Sequence, residues 1–241
     1  MPALTDPAPS EPGRWEILLF DLDHTLFDFD ASKRESFSRV IATCPGDHDL
    51  DALLATLAEV ENPLWRGLES GTVRLEDLNL LRWSGLVDRA GLDADPDDLG
   101  RSYLHELGRT GSLYPGAREM LESLAATHRL GMITNGYSEV QRARMEVFDF
   151  GHLFDVVTIS SEIGIAKPDP DFFAPTMADL GDPDPATVLV VGDSLSSDIA
   201  GAVNAGFDSC WYNPHGKPIP DGSAEPSHQV KTFAELHELV G

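Results

Sequence analysis

The chain has 241 residues, 41% of them hydrophobic, with 17 basic against 41 acidic side chains and a formal net charge of −24. That length accommodates one α/β core and a smaller insertion rather than three independent domains. The charge repels nucleic-acid backbones and anionic membrane surfaces, which excludes a nucleic-acid or lipid-surface role, and the apolar content argues for an acidic folded surface rather than disorder.

Residues 1–14 are rich in Pro, Ala and acids and are expected to form a disordered tail. They contain no apolar signal core behind a basic region, and no stretch of the chain has the eighteen or more apolar residues of a spanning helix, so the cytoplasm is the expected location. The segment WEILLFDLD (15–23) is a short apolar run ending in acids, the pattern of a buried parallel strand whose C-terminal end carries chemistry. From 31 to 112 no strand-like run follows. Helical patterns recur instead around ESFSRVIAT, LDALLATLAEV, LEDLNLLRWSGLVDRA and DDLGRSYLHELG, separated by the breakers Pro45 and Gly46, Asn62 and Pro63, Gly71, and 91–96. Cys44 and Cys210 stand far apart without metal-ligand spacing and are expected to be buried thiols.

Beyond 112, strand-like runs at 129–136, 155–162, 187–194 and 209–213 alternate with helical patterns near 115–127, 138–148, 170–181 and 196–206. Such alternation predicts a doubly wound parallel sheet, a Rossmann-like α/β core, with an all-helical cap inserted after its first strand. The expected division is a core of 15–30 and 113–241 and a cap of 31–112. No GxGxxG segment is present, so a dinucleotide cofactor is not expected.

Ligands of open parallel sheets sit outside the carboxyl ends of the strands. The residues at those ends are Asp21, Asp23 and Thr25, then Thr134 and Asn135, then Lys167, then Asp193 and Asp198. Two aspartates at a strand-to-loop turn suit a nucleophile, Asp21, that takes up a phosphoryl group, and an acid/base, Asp23, that protonates the leaving oxygen and then activates water. Several carboxylates at one point repel a phosphate dianion, each like pair at about 4 Å costing on the order of 4 kcal/mol at an effective dielectric of 20. Cations are therefore required. Lys167, one of only four lysines, supplies one, and a hard divalent ion held by oxygen, for which Mg²⁺ is the natural choice, supplies the rest. Asp21 and Asp193 are the expected side-chain ligands, with Asp23 counted in the metal set. Thr25 and Asp198 are supporting residues, Asp198 by holding a metal-bound water or orienting the lysine. Thr134, Asn135 and Lys167 are expected to contact the phosphoryl group, although Asn135 equally suits a turn beside Gly136.

The ordered set DLDHT, ITNG, AKP and GDSLSSD resembles the four motifs of the haloacid dehalogenase superfamily over roughly 15–241. The resemblance implies an aspartyl-phosphate phosphatase; the dehalogenases of that superfamily lack the second aspartate, which is present here as Asp23. A phosphomutase would retain it, whereas a non-catalytic binding module would be expected to have lost a motif residue. A closer similarity, carried by FDLDHTLFDFD, NPLWRGLESGTV, ITNGYSEVQRARM, SEIGIAKPDPDFF and NAGFDSCWYN, is to bacterial pyrimidine 5′-nucleotidases that clear non-standard nucleoside monophosphates. It implies dUMP- or dTMP-like substrates, with a sugar phosphate or similar small metabolite as the alternative. Phe27, Phe29 and Trp65 are the candidate stacking residues and Asn62, Arg66 and Glu69 the candidate polar ones, each with a plain packing or surface role as its competitor. His24 is expected to point away from the site.

Overall fold

The structure, a computed structural model, describes residues 14–241. The expected N-terminal tail therefore lies outside the described residues except for Arg14, which pairs with Asp208 at 2.7 Å. Among the described residues six parallel strands form one sheet in the order β3-β2-β1-β4-β5-β6: β1 Ile17–Phe20, β2 Arg129–Thr134, β3 Val156–Ile159, β4 Val188–Gly192, β5 Asp208–Tyr212 and β6 His228–Val230. The strand β6 is an addition to the five expected, and its three residues HQV are too short and polar to stand out in sequence.

Each central strand alternates between two cores, as the pleat requires. Leu18, Phe20, Leu130, Met132, Leu189 and Val191 face one side, where Leu121, Leu124 and Leu236 of the flanking helices cover them. Ile17, Leu19, Ile133, Val188 and Val190 face the other, under Phe172, Phe173 and Ala202. Every one of these strand positions is essentially inaccessible, and each such side chain contributes roughly 1.5–3 kcal/mol through burial. Gly131 on β2 leaves room for its neighbours, since a Cβ there would lie 2.6 Å from Leu19 Cδ2 and force that buried side chain to shift.

Between β1 and β2 the chain leaves the sheet through four helices, α1 Phe29–Ile41, α2 Leu50–Glu69, α3 Leu75–Ala90 and α4 Pro96–Leu107, before α5 Ala117–Leu124 returns to it. They have a core of their own: Phe37, Leu57, Trp83, Leu86, Tyr103 and Leu107 are buried against one another. Asp49 and Asp95 cap α2 and α4 by accepting from backbone N–H groups of the first turn. The two chain crossings are tied together, Asp28 N donating to Ser112 O at 2.9 Å and Tyr114 N to Leu26 O at 2.8 Å.

The expected break at Asn62 and Pro63 does not occur: α2 runs through it. Proline in a helix interior forfeits a hydrogen bond and costs about 3 kcal/mol. Here Glu59 and Pro63 are both exposed, so the carbonyl freed at Glu59 is open to water while Leu53 and Leu57 keep the opposite face buried. The helix expected over 196–206 is also modified, opening with a π turn at Leu195–Ile199 before the helical turn Ala200–Ala205 continues it. No helix of the described residues is long and apolar enough to cross a membrane.

Candidate active site

Strand order 3-2-1-4-5-6 places the topological switch at β1 and β4, whose carboxyl ends open the crevice where such sheets bind ligands. Asp21 follows β1 and Asp193 follows β4. Thr25 joins them: its Oγ1 donates to Asp21 Oδ2 at 3.0 Å and accepts from Asp193 N at 3.0 Å.

Lys167 is 1% exposed, and its ammonium donates to Asp21 Oδ1 at 2.8 Å, Asp198 Oδ1 at 2.7 Å and Ile133 O at 2.9 Å. All three of its hydrogens are used within the protein, so in this arrangement the lysine balances carboxylates and presents no spare donor to a phosphoryl group. Burial disfavours its charge, but Asp198 and Asp21 outweigh that and raise its pKa. Asp198 orients the lysine, and its Oδ2 accepts from Ser194 N at 3.0 Å across the π turn. Gly192 makes this possible, because a Cβ there would collide with the Asp198 carboxylate.

One lysine does not neutralise three carboxylates. Asp21, Asp193 and Asp198 each bring a ligand oxygen within 4.8 Å of the others. Burial, then repulsion from Asp198, pushes Asp21 up to about 7; burial, then Asp21 and Asp198, pushes Asp193 up to about 8. A crowded set of oxygen donors with no nitrogen or sulfur fits a hard cation such as Mg²⁺. Asp23 departs from its expected place in the metal set. Its carboxylate is turned to α6, Ser138–Val147, where Gln141 Nε2 donates to Oδ2 at 2.8 Å and Arg144 pairs with Oδ1. Residues two apart on an extended strand share a face, but β1 ends at Phe20, and beyond it the partners on α6 hold the Asp23 carboxylate away from the Lys167 that pairs with Asp21.

Arg144 is completely buried and also donates to Leu107 O at the end of α4 and to Ser32 Oγ on α1, at 3.1 and 3.3 Å. Gln141 donates to Thr134 Oγ1 as well, at 3.1 Å, and lies against Gly136, where a Cβ would again collide with it. The sequence reading missed both residues. Their signal was present: on α6 the buried face is Val140, Gln141, Arg144 and Met145, two polar groups where the apolar stripe should continue.

Asn135 also differs from its expected phosphoryl contact. Its amide is committed to the backbone of Lys167, Nδ2 donating to Lys167 O and Oδ1 accepting from Lys167 N, both at 2.8 Å. It fixes the lysine loop. Phe27 is a correction of another kind, being fully buried in the main core with the Arg144 guanidinium 4.5 Å above its ring, and it does not line the cleft.

The cleft of about 320 Å³ lies at the small end of the range for ligand sites, roughly 300–1,000 Å³. Asp21, Asp23, Thr134, Asn135, Asp193 and Asp198 form its floor; Phe29 at the chain crossing and Trp65, Leu68 and Arg82 of the helical insertion also line it. His24, in a left-handed backbone conformation at φ 67°, lines it too, contrary to expectation. Asn62 and Arg66 are exposed and stand outside it.

Residues 15–206 match the family model for haloacid dehalogenase-like hydrolases. The pyrimidine 5′-nucleotidase YjjG of Escherichia coli (strain K12) is 32% identical over 229 residues, covering 94% of this chain and 98% of that protein. The pyrimidine 5′-nucleotidase PynA of Streptococcus pneumoniae is 31% identical over 227 residues, covering 94% and 95%. Among solved structures, the magnesium-bound Bacillus subtilis protein YfnB superposes with a TM-score of 0.87 at 28% identity, covering 95% of this chain and 99% of that one.

Proposed function

The chain belongs to the haloacid dehalogenase-like hydrolases, and from that premise we propose that it is a Mg²⁺-dependent phosphomonoester hydrolase acting on pyrimidine nucleoside monophosphates in the cytoplasm through an aspartyl phosphate on Asp21. One observation carries the chemistry: Asp21 and Asp23, from a single strand end, both line one cleft but are held by different partners, Lys167 for the first and Gln141 with Arg144 for the second. Two carboxylates kept apart in this way can take separate roles.

In the first half-reaction an Asp21 oxygen attacks phosphorus and the ester oxygen leaves with the proton of Asp23. In the second, Asp23 takes a proton from water as that water attacks phosphorus, and Asp21 is released with free phosphate. Thr134 and the backbone N–H groups beyond β2 would donate to phosphoryl oxygens. Asp21, Asp193 and Asp198 would hold Mg²⁺, which when bound supplies the positive charge that lets a phosphate dianion approach these carboxylates.

Residues 15–30 and 113–241 act as the catalytic core and 31–112 as the cap. Segments 29–32 and 111–115 are the crossings about which the cap closes to exclude water. Likeness to two pyrimidine 5′-nucleotidases over 94% of the chain supports the substrate class. The test is phosphate release with Mg²⁺ across dUMP, dTMP, UMP, purine monophosphates, common sugar phosphates and phosphoglycolate. Preference for the pyrimidine monophosphates is expected; a flat or sugar-phosphate profile removes the nucleotidase assignment and leaves the chemistry in place.

A further inference from the structure

Among the described residues three buried side-chain polar atoms have no hydrogen-bond partner, Asn79 Oδ1, Arg82 Nε and Trp83 Nε1, all on α3. Of the three residues only Arg82 lines the catalytic cleft. It is 3% exposed, and a buried cation with an unused donor is costly unless an acceptor meets it.

The neighbouring charges do not supply that acceptor in full. Glu61 Oε2 lies 3.3 Å from Arg82 Nε without forming a hydrogen bond, and the same carboxylate is already paired with Lys33 from α1. One negative charge, Glu61, thus faces two positive ones, of which Arg82 lines a cleft whose floor is acidic. The guanidinium is fixed between aromatic faces, 5.7 Å from the Trp65 ring centre and 5.6 Å from that of Tyr103. Trp65, Leu68 and Val140 make the adjacent wall flat and apolar. A planar ring bearing a carbonyl oxygen matches this surface, the ring on the apolar wall and the oxygen on the guanidinium.

We propose that Arg82 is the specificity-determining residue of the cleft, donating to a ring carbonyl oxygen of the leaving group while Trp65 flanks the ring. This rests on the nucleotidase function proposed above and deepens it: uracil- and thymine-type rings present such oxygens, and a sugar phosphate without a base presents none.

Steady-state kinetics with Mg²⁺ on dUMP and on 2-deoxyribose 5-phosphate, for the wild type, Arg82→Met and Arg82→Lys, test it. In Arg82→Met the ratio of kcat/KM for dUMP over 2-deoxyribose 5-phosphate falls about tenfold to a hundredfold, the loss of a charged hydrogen bond, and the fall is mainly in KM. Arg82→Lys, which keeps the charge beside Glu61 and guards against a misfolded variant, recovers part of the ratio. A wild type that favours dUMP, with the ratio unchanged in either folded variant, overturns the role of Arg82 and leaves the nucleotidase function standing. A wild type with no preference for dUMP removes the nucleotidase function and this inference with it.

Discussion

Gly192 and Asp198 share one volume: a Cβ at the end of β4 would occupy the place of the aspartate carboxylate that holds Lys167. The glycine is required for that close approach, not for a left-handed backbone, since its φ is not positive. Gly192→Ala is therefore expected to destabilise the protein by roughly 1–3 kcal/mol, as overpacking does, and to lower kcat/KM as Lys167 shifts. Thermal unfolding and phosphate release check the two effects. An alanine variant with unchanged activity would separate Asp198 from the lysine.

Lys167 is the cation that lets Asp21 and Asp198 stand together in a buried place. Lys167→Met leaves those carboxylates facing each other uncompensated, for which a loss of roughly 3–5 kcal/mol is expected. Denaturant unfolding measures it, and Mg²⁺ restores part of the loss in the variant.

Gln141 connects Asp23 to Thr134, so in the proposed mechanism it aims Asp23. Gln141→Leu removes both contacts together with the bond that Gln141 Oε1 accepts from Arg144 at 3.3 Å, while Arg144 keeps Asp23, Leu107 O and Ser32 Oγ as partners. A fall in kcat of about tenfold to a hundredfold is expected, a fraction of the 10²–10⁴-fold that a positioned acid/base supplies, with KM little changed. Comparable falls in Asp21→Asn and Gln141→Leu would contradict a positioning role.

The pH dependence follows from Asp21 near 7 and Asp193 near 8. Both folded values are raised above the unfolded value of roughly 3.9. Between the two, the folded protein retains protons that the unfolded chain releases. The associated stability is present at low pH and is lost as pH rises through 7 and 8. In EDTA the melting temperature of Asp193→Asn minus that of the wild type is thus expected to grow from pH 5 to pH 9. With Mg²⁺ present the trend diminishes, because the ion takes the place of the protons. A difference that stays flat with pH in EDTA would contradict the crowded-carboxylate description.

The sheet was legible because its strands are apolar runs that end in chemistry, as in WEILLFDLD and TVLVVGDS. Periodicity located the helices but not their continuity: α2 passes Pro63 because tertiary burial of Leu53 and Leu57 outweighs a local penalty. The strand ends pointed to the residues of the floor, and the structure gathers them at one cleft. Their directions were hidden, so Asp23 was grouped with the metal set although Gln141 and Arg144 turn it away. Asn135 was assigned to the ligand when its amide is used by the Lys167 backbone. Gln141 and Arg144, which hold Asp23, and Arg82 in the cleft wall carry no motif. Each was visible only as a polar group on a helix face that has to be buried.

The most direct measurement is acid quenching of the Mg²⁺ enzyme during turnover of dUMP or, should that be a poor substrate, a generic aryl phosphate, followed by peptide mass spectrometry. A phosphoryl group on Asp21 is predicted, absent in Asp21→Asn together with all phosphate release. Hydrolysis that persists in Asp21→Asn, or a phosphoryl group mapped to another residue, would contradict the account.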